Sequence, residues 1–359
     1  MDFKGILIEW FSINKRDLPW RNTADPYLIW VAEVILQQTR VAQGIGYYQM
    51  FIGEFPTIYD LAQASEDSVL KVWQGLGYYT RARNLHSSAQ HIVSQRQGVI
   101  PSTYRELLTI KGLGHYSAGA IASFAFGEPV PAMDGNVYRV IARVFGLFAS
   151  PYTAAGRSEF HSLLMELMDK QNPHTFNQAL LDFGALQCLP KGPKCVECPL
   201  AGYCYALRNN LIHALPIKSK RIVPRNRYFT YIIIRYNQGT FISKRQGQDI
   251  WHSLYEFPLI ESPEPLSLGE VQRHTRWKEL LGREKVEVLH FSQPVKHQLS
   301  HQTLHAQFLI VRIRKPTALL LGEYLFIPAT SVSQYSVPRL IDSFLAAEPA
   351  EQYMRNTPT

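Results

Sequence analysis

The 359-residue chain has no run approaching eighteen uninterrupted apolar residues, which argues against a membrane-spanning helix. Its opening stretch, MDFKGILIEWFSINKRD, holds too short an apolar run, with acids on both sides, for a secretory signal. No repeat or low-complexity tract stands out. The expected compartment is the cytoplasm. Cysteine is scarcest of all: Cys188, Cys195, Cys198 and Cys204 lie together in CLPKGPKCVECPLAGYC, and there are no others. In a reducing compartment such a cluster suggests metal binding rather than disulfides.

Charge is unevenly spread. The chain carries 37 Lys and Arg against 29 Asp and Glu, a net +8. Residues 1–213 hold 18 basic and 17 acidic residues, whereas 214–227, ALPIKSKRIVPRNR, hold five basic residues and no acid. This Pro-containing segment reads either as a solvated linker or as a basic strap across a polyanion. It also marks a change of pattern. Before it, PYLIWVAEVILQQT, SEDSVLKVWQGL, TRARNLHSSAQHIVSQR, SAGAIASFAF, NVYRVIARVFG and SEFHSLLMELMD predict helices. After it, YFTYIIIRY, TFISKR, VEVLHF and AQFLIVRIR predict strands, with helices near LGEVQRHTRWKELLG and PRLIDSFLAAE. An all-α domain over 1–213, a linker over 214–227, an α+β domain over 228–346 and a disordered tail over 347–359 are therefore expected.

Three local patterns carry chemistry. Four thiolates suit a structural zinc ion or an iron–sulfur cluster. With gaps of six, two and five residues, only Cys195 and Cys198 form a Cys-x2-Cys knuckle. The wide loop favours a cluster; zinc and unligated thiols are the alternatives. In IKGLGHYSAGAIAS, residues 110–123, Gly112 and Gly114 permit a tight turn before a helix of small residues. Gly-x-Gly is often only a turn, but the small helical face fits a helix–hairpin–helix, whose backbone N–H groups hold a phosphate without reading a base. Two carboxylates complete the set. Glu33 lies among Leu28, Ile29, Trp30, Val31, Ala32, Val34, Ile35 and Leu36, where burial would hold it protonated as a general acid, unless it is a structural residue paired with an arginine. Asp134, in AMDGNVYRVIAR, reads as a helix N-cap that could also face a cleft. One protonated and one ionised carboxyl is the pair that glycosidic cleavage uses.

LPWR, WVAEVILQQTRV, QGLGYYTRARNL, KGLGHYSAGAI, MDGNVYRVIAR and the cysteine loop together resemble the adenine DNA glycosylases, the MutY family of the endonuclease III superfamily, over nearly the full length. The resemblance implies a multidomain protein: an all-α helix-hairpin-helix glycosylase domain with an iron–sulfur loop, then an α+β, Nudix-like lesion-recognition domain. It implies a [4Fe–4S] cluster on the four cysteines, and a monomer acting on double-stranded DNA with adenine opposite 8-oxoguanine or guanine, at the nucleoid. Glu33 would protonate adenine N7, Asp134 would stabilise the sugar, Tyr116 and Asn136 would hydrogen-bond around Asp134, and Arg21 would support Glu33. Gln38, Leu76 and Tyr78 match residues that fill or wedge the opened stack. The resemblance makes Gly112 and Gly114 part of the DNA-binding hairpin.

The chain also departs from its relatives. Bifunctional members of the superfamily carry a lysine nucleophile where this chain has Tyr116, so a monofunctional hydrolase is expected. The family's Phe-Ser-His lesion-reading loop is here Leu299, Ser300 and His301, without the aromatic ring. The region around LGEVQRHTRWKELLG has only dispersed carboxylates, which disfavours nucleotide pyrophosphate hydrolysis. The competing readings are a bifunctional, endonuclease III-like pyrimidine-damage glycosylase/lyase and a non-catalytic iron–sulfur DNA-binding protein.

Overall fold

A computed structural model describes residues 2–218 and 223–347. Lys220 and Arg221 of the expected linker lie outside the described residues, as does all but the first residue of the expected tail. The chain divides into two compact units, Met1–Ala64 with Arg81–Lys220, and Ser65–Thr80 with Arg221–Thr359. The division is thus not a single cut after 213: a short piece of the helical half belongs with the second unit.

The described residues of the first unit form helices and no strand. The glutamate helix, Pro26–Leu36, starts where the Asp25 carboxylate accepts from the Tyr27 N–H at 2.8 Å and Pro26 fixes the first turn. Its apolar sequence buries eight of its residues, Glu33 included. At its end the Arg81 guanidinium donates to the carbonyls of Val34 and Ile35, each at 2.9 Å, and of Gln37, satisfying acceptors the helix cannot. The expected hairpin joins Tyr104–Leu107 to the helix His115–Phe126. Gly112 sits at φ +91°, and a Cβ there would meet Asn84 Cβ at 2.8 Å. The small face expected behind the hairpin has a structural cause: a Cβ on Gly119 would stand 2.7 Å from the Pro131 carbonyl oxygen. That close approach holds the hairpin helix against the loop that delivers Asp134. A second core, with Phe3, Phe160, Phe176 and Phe183, packs Gly135–Phe145 against the terminal and Pro173–Leu186 helices.

Among the described residues of the second unit, eight strands form one mixed sheet: β1 (Arg225–Tyr236), β2 (Gly239–Lys244), β3 (Tyr255–Glu256), β4 (Leu259–Ser262), β5 (Glu287–Phe291), β6 (Val295–Gln298), β7 (Gln302–Arg312) and β8 (Leu325–Pro328). β1 and β7 run parallel through the centre; the remaining pairings are antiparallel. The two-residue period of β1 sends Phe229, Tyr231 and Ile233 into one core and Ile232 and Ile234 into the other. Helices Thr275–Leu281 and Arg339–Leu345 cover opposite faces.

Two findings modify the reading of this half. β1 begins inside the expected linker, and Arg227 is buried between Asp249 and Glu261, with a 2.7 Å contact to each. Its charge is therefore neutralised within the protein and is not available to a strap. The segment Ser65–Thr80 is anchored through Asp67, which takes the Lys244 ammonium at 2.5 Å and the Tyr255 hydroxyl at 3.0 Å. Lys71 adds a 2.6 Å bond to the Ser333 carbonyl. The dispersed carboxylates of the Nudix-like region serve structure: Glu270 closes a capping box with Ser267, and Glu279 pairs with Arg276. No helix among the described residues is long and apolar enough to cross a membrane.

The tight approach at Gly119 is directly testable. Gly119→Ala forces a methyl onto a backbone carbonyl and should cost about 1–3 kcal/mol in chemical unfolding. Gly53→Ala, in a helix with nothing within 4 Å of the new Cβ, should be neutral or slightly stabilising.

Candidate active site

Glu33 is 3% exposed and its Oε2 has no hydrogen-bond partner. Burial and the nearby Asp134 raise its pKa, whereas a hydrogen bond with Tyr116 and the charge of Arg21 lower it; the outcome is a rise from 4.5 to about 7. Near neutrality the group is therefore a protonated acid about half the time. Tyr116, on the hairpin helix, has its phenol pushed well above its usual range by burial and by the two carboxyls it faces, so it remains a neutral hydrogen-bonding group.

Asp134 caps the helix Gly135–Phe145, and both readings of it hold together. Oδ1 accepts from the N–H groups of Asn136 and Val137 at 2.8 and 2.9 Å; Oδ2 accepts from the Asn136 side-chain amide at 2.6 Å. Burial raises its pKa against these bonds and the charge of Arg139. Asn136 is held in turn by Arg139, whose Nη2 donates to Asn136 Oδ1 at 2.8 Å and to the Gly184 carbonyl at 2.7 Å. One turn on, Arg143 donates to the Leu189 carbonyl at 2.7 Å and lies 3.5 Å from Cys188 Sγ, while Arg139 Nε binds the Cys188 carbonyl at 2.7 Å. One helix therefore positions the aspartate and fastens the start of the cysteine loop. The spacing of Arg139 and Arg143, four residues apart in AMDGNVYRVIAR, is the sequence's sign of this role.

Arg21, expected to support Glu33, makes its hydrogen bonds elsewhere. Its guanidinium forks onto Asp182, Nη1 to Oδ2 at 2.7 Å and Nη2 to Oδ1 at 2.8 Å. A fully buried carboxylate outcompetes a protonated acid for an arginine, because only the former carries charge. Arg21 thus acts on Glu33 through space. Asp182 and Arg16, which also binds Asp182, carried no motif that singled them out.

Glu33, Tyr116, Asp134, Asn136, Arg21 and Gln38 line one cavity of about 890 Å³ in the first unit, within the roughly 300–1,000 Å³ usual for small-molecule sites. Gln38 is exposed at its rim, held at φ +58° just past the end of the glutamate helix. Gly112 and Gly114 stand apart from this lining, in the hairpin. The remaining expected contacts lie in the second unit. Leu76 is only 8% exposed and packs as core in this structure; Tyr78, 49% exposed, is open to solvent. Leu299, Ser300 and His301 form the turn between β6 and β7, with Leu299 partly packed on the core and the other two exposed. The Tyr78 hydroxyl and Ser300 Oγ are hydrogen-bonded.

All four cysteines line one small cavity, with Val144, Phe183 and Leu200 among its apolar walls, and none is in a disulfide. By donor chemistry four soft sulfurs suit an iron–sulfur group or zinc, but here they are gathered in one loop without converging on one point. Among the described residues, no set of three or more His, Cys, Asp or Glu side chains is arranged to hold a metal ion.

A raised carboxyl pKa in the fold has a stability consequence. Glu33 favours folding below pH 4.5, where it is protonated in both states, and this advantage is lost as pH rises through about 7. Glu33→Gln removes the burden: it should be more stable than the parent at pH 8, by roughly 2–3 kcal/mol, with the difference closing below pH 4.5. Denaturant unfolding at the two pH values measures this.

The HhH-GPD superfamily base excision DNA repair protein family matches residues 31–164, and the NUDIX domain family matches 230–347. An adenine DNA glycosylase of Buchnera aphidicola subsp. Baizongia pistaciae is 34% identical over 320 residues, 87% of each chain. The Arabidopsis thaliana adenine DNA glycosylase is 35% identical over 71% of this chain and 46% of its own, and the human protein 42% over 57% and 39%. Among solved structures, a thermostable thymine-DNA glycosylase is 27% identical with a TM-score of 0.54, covering 58% of this chain and 95% of that one. An endonuclease III–DNA complex, 22% identical with a TM-score of 0.50 over 57% and 93%, shares the fold. The helical unit with its hairpin, the mixed-sheet Nudix-like unit and the extent of these matches lead to one conclusion: this chain belongs to the adenine DNA glycosylase family of the helix-hairpin-helix base excision repair superfamily.

Proposed function

We propose that this chain hydrolyses the N-glycosidic bond of adenine opposite 8-oxoguanine or guanine in duplex DNA. The observation that carries the reading is the meeting of a buried, protonatable Glu33 and a capped Asp134 across Tyr116 in one cavity. Adenine leaves the stack to enter such a site, since the reacting bond is out of reach within a duplex. Glu33 donates its proton to N7, so that the purine departs as a neutral base when the C1′–N9 bond breaks. Asp134 steadies the positive sugar, and water adds to C1′, its proton going to a carboxylate. Asn136 and the helix N-terminus hold Asp134 in place. A phenol at 116 forms no Schiff base, so the product is an intact strand with an abasic site.

The supporting parts follow the same reading. Gly112 and Gly114 would hold the DNA backbone, and Gln38 and Tyr78 would occupy the vacated stack. Ser300 and His301 would read the opposite base, Leu299 lacking the ring its relatives use. Cys188, Cys195, Cys198 and Cys204 would carry a [4Fe–4S] cluster; that group's contribution is to brace a loop bearing Lys191 and Lys194 beside DNA. The protein would act as a monomer on nucleoid DNA.

Duplexes pairing adenine with guanine, thymine or 8-oxoguanine, incubated with the protein and then treated with alkali, test this. Breaks should appear only after alkali, only in the adenine strand, and most with 8-oxoguanine. Spontaneous strand cleavage with a borohydride-trapped adduct would instead establish the lyase. Glu33→Gln should lower turnover by about 10²–10⁴ while duplex binding persists, and the parent's rate should decline as pH rises through about 7. Full cleavage by that variant would remove Glu33 from the chemistry.

A further inference from the structure

Asp182 is fully buried, behind the cavity lining, and its carboxylate is hydrogen-bonded to two arginines of the cavity wall, Arg16 and Arg21. Besides the fork from Arg21, it accepts the Arg16 backbone N–H at 3.0 Å and Arg16 Nε at 2.7 Å. Arg21 Nη1 also donates to the Arg16 carbonyl at 2.9 Å, and its guanidinium lies over the Phe11 ring at 5.7 Å. Both terminal nitrogens of Arg21 are thus committed, and one face of the guanidinium is covered. These bonds outweigh burial and hold the Asp182 carboxyl below its usual pKa, so it is ionised throughout the working range.

Yet Arg21 shares a cavity with Glu33, whose Oε2 has no partner. An arginine free to turn would close on that oxygen, since a buried carboxylate facing a guanidinium is the preferred state of both. Such a pair would strip the acid of its proton. We infer that Asp182 is a positioning residue, locking Arg21 away from Glu33 so that the glutamic acid keeps the proton it must donate. The inference rests on Glu33 being the acid of the proposed reaction. The other groups facing Glu33 are Tyr116 from the hairpin helix and Asp134 from the loop before Gly135–Phe145. Arg16, Arg40 and Arg139 also line the cavity. The helix Val41–Glu54, packed on the glutamate helix, has its Tyr48 against Trp20 and its Glu54 exposed. Of these, the Arg16 carbonyl also accepts from Arg21, through the Nη1 that Asp182 holds.

The test is the pH profile of single-turnover adenine release from the adenine:8-oxoguanine duplex. With Asp182→Asn, Arg21 is released toward Glu33, and the limb that descends near pH 7 should move down by about one pH unit or more, as an opposite charge close by lowers a carboxyl pKa by roughly 1–3. The rate at pH 8 should fall at least about tenfold, with little change at pH 5.5. Adding Arg21→Gln to Asp182→Asn removes the cation and should return the limb to its original position or above. In Arg21→Lys, Asp182 stays paired through Arg16, which protects the fold if Asp182→Asn unfolds; a single ammonium on a flexible stem cannot fork onto Asp182 and is free to reach Glu33, so the limb should again move down, whereas Arg21→Gln alone should raise it. A limb that stays put in Asp182→Asn, or in Arg21→Lys where that must stand in, overturns the inference and leaves Glu33 as the acid. A parent profile with no limb near pH 7 refutes the acid assignment itself.

Discussion

Removing a carboxylic acid from water is the constraint around which the first unit is arranged. A free glutamate ionises near pH 4.5; Glu33, in an apolar helix, does so near 7. The fold bears this cost through close packing: the hairpin helix approaches within the space of a missing Cβ at Gly119, and Arg81 satisfies the carbonyls where the glutamate helix ends. The same burial that penalises the ionised form makes the neutral form available as a proton donor. Stability and reactivity are opposite readings of one desolvation.

The second carboxyl is treated differently. Asp134 sits at a helix N-terminus with three donors on its two oxygens, the arrangement that favours an anion, although burial works against it. A cap and a reacting group are therefore the same side chain. From that cap the helix runs through Arg139 and Arg143 to Cys188 and Leu189, so the geometry of the aspartate and that of the cysteine loop are fixed by two arginines one turn apart. Beside the cavity, Asp182 draws Arg21 and Arg16 to itself, leaving their charge in the wall but away from the acid.

Much of this was legible in the sequence because it rests on local order. The apolar run around Glu33, the glycine spacing of the hairpin and the capping position of Asp134 are near-neighbour patterns, and the helix Thr80–Arg96 matches its expected segment. The partners were not legible where they come from afar. Asp182 lies 161 residues from Arg21, and no periodicity distinguishes it from other acids on a helix, so its hold on Arg21 leaves no sign in the sequence. Arg227 read as linker charge because its neutralising partners, Asp249 and Glu261, follow on separate segments of the second unit. That Leu76 is buried comes from three-dimensional packing that its own motif does not reveal. Short strands such as β6 and β8 carry too little pattern of their own and exist through their pairing with β7 and β2.

The central claim is that Glu33 keeps its proton close to neutrality. Infrared difference spectra between the parent protein and Glu33→Gln, taken across pH 4 to 9, isolate the carbonyl stretch of this one carboxylic acid. The account predicts a protonated band that persists well above the ordinary range and disappears with a midpoint of about 7. Disappearance near 4.5, as for a solvated glutamate, would contradict it.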